Sequence, residues 1–245
     1  MKVLVLGDVC VDEYQYGTVD RISPEAPVPV FKLSHTDTKV GMAANVSKNL
    51  QAFGIEVDGY YGQVSYKTRL IDTKSGQHIV RIDKDNISDS LLLASIDFSN
   101  HYDAIVISDY NKGSVSVELV QALREQYDGP IFADTKKPNL IDFEGCFVKI
   151  NETEFIHRTS ECSNLIVTLG ANGAMYSNEV FPTAKVEVVD VCGAGDTFLA
   201  ALCFKYLTSH SIKDAIRFAN EAATISVQHS GVYVLSPDDL SKCFY

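Results

Sequence analysis

Asp190-Val-Cys-Gly-Ala-Gly-Asp196 stands between two runs of opposite character. Before it, Lys185-Val-Glu-Val-Val-Asp190 is rich in β-branched residues and predicts a strand. After it, Thr197-Phe-Leu-Ala-Ala-Leu-Cys-Phe-Lys-Tyr206 predicts a helix. A strand that hands over to a helix is the repeating joint of an α/β fold. Gly193 and Gly195 have no Cβ, so the backbone can take unusual dihedrals and let an anion come close. The first amides of the following helix have no intrahelical acceptor and point outward, which makes an anion site. Asp196 lies at that same end. A carboxylate there is a poor partner for a resting phosphate. It is well placed to take a proton from a hydroxyl while the turn stabilises a phosphoryl group in transfer. The plainer reading is a tight turn with a first-turn acid that complements the helix dipole.

Working outward, strand and helix signals alternate. Val3–Leu6 is a continuous apolar run ended by Gly7-Asp8, as expected of a strand buried on both faces. Ala43–Phe53 predicts a helix with Gly54 as its C-cap. Further strands are expected at Ala104–Ser108, Pro130–Ala133, Cys146–Ile150 and Leu165–Thr168, then a short pair at Ala174–Ser177 and Val180–Pro182. Helices are expected over Val115–Gln126, Ala194–Tyr206 and Ile212–His229. The whole reads as one α/β domain over 1–245: an open, mostly parallel sheet with helices on both faces. Two segments stand apart. Residues 13–33 carry the Pro-rich centre Ser23-Pro-Glu-Ala-Pro-Val-Pro29, and 67–84 turn at Lys74-Ser-Gly-Gln77. Both read as β-hairpins that could pair into a small lid.

Composition narrows the function classes. The 245 residues are 46% hydrophobic and 22% charged, enough for one core. A net charge of −11 without a basic cluster argues against a nucleic-acid partner. No run is long and apolar enough to span a bilayer. The six cysteines form no Cys-x-x-Cys pair and suit a reducing, cytoplasmic setting.

In open α/β sheets, ligands sit beyond the carboxyl ends of the strands. The polar residues expected there are Asp8, Ser108-Asp109, Asp134, Asn151, Thr168 and the Gly193–Asp196 turn. Asn151-Glu-Thr-Glu154 offers an acid for a hydrated Mg²⁺, or simply a helix capping box. Val167-Thr-Leu-Gly-Ala-Asn-Gly173 offers backbone amides and the Thr168 hydroxyl to a phosphate tail, or a hairpin turn. Gly41-Met-Ala-Ala-Asn45 brings backbone and an amide to a polyol, or packs a helix through small residues. Asp8 and Asp12 are candidate hydroxyl clamps or loop acids. Lys112 faces a phosphate or solvent, and Arg21, Arg69 and Arg81 are candidate phosphate clamps or scattered surface arginines.

Taken in order, these motifs resemble the ribokinase/PfkB family of sugar and nucleoside kinases. The resembling stretches include Gly7-Asp-Val-Cys-Val-Asp-Glu-Tyr14, Ser108-Asp-Tyr-Asn-Lys-Gly113 and Phe218-Ala-Asn-Glu-Ala-Ala223. Arg21-Ile-Ser-Pro-Glu-Ala-Pro-Val-Pro-Val30 resembles the subgroup that phosphorylates heptose 7-phosphate. The resemblance implies a ribokinase-like fold and ATP- and Mg²⁺-dependent phosphorylation of a sugar hydroxyl. It implies Asp196 as base, with Gly193, Ala194 and Gly195 as anion hole. Asn151 and Glu154 would act through Mg²⁺, and Thr168, Gly170, Gly173 and Asn220 would line the nucleotide site. Asp12, Gly41 and Asn45 would hold the sugar. It further implies a lid that can join two copies into a homodimer, and it leaves a monovalent cation open. Against the family pattern the chain is short after Gly62 and after Glu154.

Overall fold

Among residues 1–98 and 100–243, which a computed structural model describes, ten strands join in one sheet. The chain order is β1 (Lys2–Ile22), β2 (Pro29–Met42), α1 (Ala43–Ala52), β3 (Glu56–Asp72), β4 (His78–Lys84) and β5 (Ala104–Asp109). There follow α2 (Val117–Gln126), β6 (Ile131–Thr135), β7 (Phe147–Asn151), α3 (Glu152–His157) and β8 (Asn164–Thr168). The chain closes with β9 (Ala174–Tyr176), β10 (Glu179–Phe181), α4 (Ala194–Ser209), α5 (Ile212–Ser226) and α6 (Pro237–Cys243). Across the sheet the order is β10-β9-β8-β7-β6-β5-β1-β3-β4. The run from β8 to β3 is parallel, and the margins are antiparallel.

Period-two alternation divides the core. Val3, Val5, Val106, Phe132 and Ile166 pack against α1, α4 and α5, while Leu4, Leu6, Ile107, Val148 and Ile150 pack against α2. Helix α4 is buried continuously from Asp196 to Phe204, so it is a central helix rather than an amphipathic surface one.

The two hairpins are extensions of core strands. Lys2–Gly7 of β1 lies between β5 and β3, and beyond Gly7 the same strand continues between β2 and β3. Gly7 sits where the ladder shifts register, at φ 144, and a Cβ there would meet the Ser108 carbonyl oxygen at 2.0 Å. β3 likewise runs from the core into the lid without a helix after Gly62. The lid order is β2-β1-β3-β4, and its first hairpin is longer than 13–33, because β2 reaches Met42.

One expectation fails. Lys185–Asp190 forms no strand. The amides of Val189 and Asp190 both donate to the Val227 carbonyl at the end of α5, so the segment crosses a helix terminus instead of joining the sheet. Val188 and Val189 are exposed and Val186 and Val188 border a cavity, so β propensity has no ladder to act through.

Candidate active site

The turn before α4 is built by Asp190. Its carboxylate accepts from the Cys192 amide at 2.9 Å and the Gly231 amide at 2.9 Å, an Asx turn tied to a distant loop. Gly193 then caps the helix in the left-handed region at φ 78, and a Cβ on it would lie 2.9 Å from Asn45 Nδ2. Ala194, Gly195 and Asp196 form the first turn.

Asp196 is 3% exposed. Asn45 Nδ2 donates to its Oδ2 at 3.0 Å, and the Tyr110 hydroxyl donates to its Oδ1 at 3.0 Å. Burial pushes its carboxyl up to about 6. Neighbouring Asp134 pushes the same way, while the Asn45 and Tyr110 hydrogen bonds and Lys149 oppose it. The result is a base poised near neutral pH.

Beside it lies a charged network. Lys149 on β7 pairs with Asp134 on β6 at 2.7 Å; the two are direct partners in the parallel ladder. Lys136 reaches Asp134 at 3.4 Å and Glu154 at 2.5 Å. Burial alone would raise the Asp134 carboxyl, but Lys149 and Lys136 outweigh it and hold the group below the ordinary carboxylate range. A Cβ on Gly195 would come 2.8 Å from Lys149 Nζ, so the lysine lies against the first turn of α4. Lys136, Lys149, Asp134, Asn151, Gly193 and Gly195 share a polar cavity of about 420 Å³. Thr168, Gly170, Val191 and Gly195 also border a second cavity of about 410 Å³, largely apolar, between the Thr183–Val191 segment and α5.

The other candidates fall into three groups. Gly193, Ala194, Gly195, Asp196 and Asn45 come together at the turn. Thr168, Gly170 and Asn220 line the apolar cavity, where Asn220 Nδ2 also donates to the Phe181 carbonyl at 2.8 Å. Gly173 backs onto β10 instead, since a Cβ would meet the Phe181 carbonyl oxygen at 2.0 Å. On the lid side, Asp12 is buried and bound to Arg69 Nη1 at 2.5 Å. Gly41 faces Cys10 in the β1–β2 ladder, and a Cβ on it would reach Asp12 Oδ2 at 2.4 Å. Arg69 also lies over the Tyr14 ring and within 3.9 Å of the Cys192 sulfur.

Two further candidates, Asp8 and Lys112, line neither cavity and are engaged by other groups. The Asp8 carboxylate accepts from the amides of Tyr110 and Lys112 and from the Ser114 hydroxyl, so it holds a loop. Lys112 pairs with Asp85 at 2.5 Å. Glu154 forms the capping box: it accepts from the Asn151 amide and Nδ2 at 2.7 and 2.9 Å, and its own amide donates to Asn151 Oδ1 at 2.9 Å. Lys136 and Asn151 Nδ2 share Oε1 of Glu154, and Oε2 accepts from the Asn151 amide alone. Among the described residues no trio of His, Cys, Asp or Glu side chains stands close enough to hold a metal. The residues present therefore suit a Mg²⁺ held mainly by water and phosphate oxygens, with Glu154 as the nearby carboxylate. Burial pushes the Cys10 thiol up to about 12 and raises that of Cys192.

Tyr110 and Lys149 are site residues that the motifs did not single out. Tyr110 lay inside the quoted Ser108–Gly113 run. Lys149 was a lone charge in an otherwise apolar parallel strand, which is the signal that could have found it.

The sheet, the central helix and this turn define a ribokinase-like fold. Phosphofructokinase-2 from Escherichia coli, solved with potassium, superposes at a TM-score of 0.74 with 16% identity, covering 100% of this chain and 97% of that one. Ribokinase from Arabidopsis thaliana, solved with ribose and ATP, gives a TM-score of 0.71 at 15% identity, covering 99% and 98%. The model of pfkB family carbohydrate kinases matches residues 120–239. The bifunctional protein HldE of a Nitratiruptor species is 31% identical over 298 residues. That match covers 98% of this chain and 64% of the relative, so the chain spans less than two thirds of it. An alignment of 298 positions against 245 residues means that the relative has segments this chain lacks.

Proposed function

We propose that the chain transfers the γ-phosphate of ATP to a sugar or sugar-phosphate hydroxyl. The observation that carries this is Asp196, a buried carboxylate at the start of α4, next to Gly193 and Gly195 and beside the polar cavity. The nucleoside would occupy the apolar cavity along α5, and its phosphates would run past Thr168, Gly170 and Asn151. The acceptor hydroxyl attacks the γ-phosphorus in line, Asp196 takes its proton, and the bond to the leaving ADP breaks. The first-turn amides and Lys149 and Lys136 supply the positive charge this step needs. A Mg²⁺ arriving on the nucleotide would add charge at its phosphate oxygens, and Glu154 would meet it only through water.

The acceptor would lie on the lid side, by Asp12, Gly41 and Asn45. The buried Arg69 favours an acceptor with an anionic group. The Arg21–Val30 run favours heptose 7-phosphate. The same reading puts the enzyme in the cytoplasm, leaves a monovalent cation open and pairs two copies through the lid, which light scattering would read. The primary test is ADP release with a panel of sugars and sugar phosphates. Transfer by the wild type and none by Asp196→Asn supports the reading. Equal rates for the two proteins on every acceptor would refute it.

A further inference from the structure

Tyr110 stands where a reacting hydroxyl would stand. Its phenol O–H donates to Asp196 Oδ1 at 3.0 Å, the same bond that a base makes to the proton it will remove. Asn45 already holds the other oxygen, so Oδ1 is the side open to an acceptor. The ring also borders the polar cavity that holds Lys136, Lys149, Gly193 and Gly195. A hydroxyl between the base and that cavity lies on the line an acceptor oxygen must occupy.

The placement is built into the fold. The Tyr110 amide donates to Asp8 Oδ2 at 2.8 Å, and the next amide, of Asn111, donates to Asp109 Oδ1 at 2.9 Å. Asn111 takes a left-handed φ of 57, which turns the chain immediately after the tyrosine. Ammonium groups sit over the ring from two directions: Lys67 of the lid strand β3 at 5.8 Å and Lys136 at 5.1 Å. The tyrosine thus touches the base, the phosphate side and the lid. Asp8 pins the loop that carries it.

We propose that Tyr110 is a positioning residue that holds the acceptor's place on Asp196 until the acceptor arrives. While it is there, water cannot take the proton-donating position beside the base, and the nucleotide is protected from hydrolysis. The acceptor hydroxyl displaces the phenol and takes over its hydrogen bond. No covalent change occurs at the tyrosine. This rests on the kinase reading given above.

The test measures ADP formation with and without acceptor in the wild type and in Tyr110→Phe, with phosphorylated product quantified separately. The phenylalanine keeps the ring and its packing and loses only the hydroxyl. The expected result is acceptor-independent hydrolysis raised at least tenfold relative to transfer. A parallel fall of both rates, or an unchanged ratio, marks a structural tyrosine and overturns the proposal. Phosphate found on Tyr110 itself by mass spectrometry overturns it too, because the residue would then be an acceptor. Should Tyr110→Phe fold poorly, Asp8→Asn loosens the same loop from a distance and is expected to raise the same ratio, and no rise in it overturns the proposal. A wild type that transfers phosphate to no acceptor refutes the kinase reading and this inference together; a transferring wild type with an unchanged ratio refutes this inference alone.

Discussion

Asp196→Asn should cut turnover by orders of magnitude and stabilise the fold at the same time. Burial lifts the Asp196 carboxyl from 3.8 to about 6. The folded state therefore holds this proton more tightly than the unfolded chain does. Its contribution to stability is fully present below about pH 4 and is lost as pH rises through about 6. A shift of about two units corresponds to about 3 kcal/mol of destabilisation above that window. Asparagine keeps the shape and removes the charge. Its amide donor must face either Asn45 Nδ2 or the Tyr110 hydroxyl, and weaker hydrogen bonding there returns about 1 kcal/mol. A net gain of about 1–2 kcal/mol at pH 8 raises the melting temperature by about 2–8 °C in a chain of this size. Thermal melts by circular dichroism from pH 4 to pH 9, run beside the coupled assay, read both effects. The gain should shrink towards zero as pH falls to about 4, and turnover should drop by about 10²–10⁴-fold wherever the wild type is active. A melting difference that stays the same from pH 8 to pH 4, or a folded variant less stable at pH 8, would refute the view of Asp196 as a destabilised buried base.

Tyr110→Phe removes a hydrogen bond to the charged carboxylate, a loss of about 1.5–3 kcal/mol, and so moves the acid limb of kcat/KM up from about 6 by about one to two units. The limb of kcat should stay in place if the acceptor has displaced the phenol, and pH–rate profiles separate the two. Arg69→Met leaves the Asp12 carboxylate buried without its cation, and chemical denaturation should show a loss of about 3–5 kcal/mol, with Arg69→Lys losing less. Gly41→Ala drives a methyl against Asp12 Oδ2 and Cys10 Sγ; it should cost about 1–3 kcal/mol of stability and raise KM for the acceptor while leaving KM for ATP unchanged. Equal changes in both Michaelis constants would show that Gly41 does not face the acceptor.

The α/β class, the mostly parallel sheet and both hairpins are legible in the chain, because buried parallel strands leave unbroken apolar runs and glycines mark the joints. The turn before α4 is legible for the same reason: Gly193 needs a left-handed φ, and Gly195 lets the Lys149 ammonium lie close against the first turn. The strand read at Lys185–Asp190 fails because β propensity says nothing about whether a partner strand is present. Chemistry that depends on partners from afar was not legible at all. Asp8 and Asp12 are four positions apart and look alike in sequence. One holds the Tyr110 loop and the other meets Arg69 across the lid. Burial lifts Asp196 towards neutrality against the hydrogen bonds of Asn45 and Tyr110, residues far apart in the chain. Which backbone turns form, and where, is written locally in the chain, because a turn depends on a residue and its neighbours. Only the tertiary structure decided which charges meet and which proton the base can take, because electrostatics acts through space and is set by what packing removes from water.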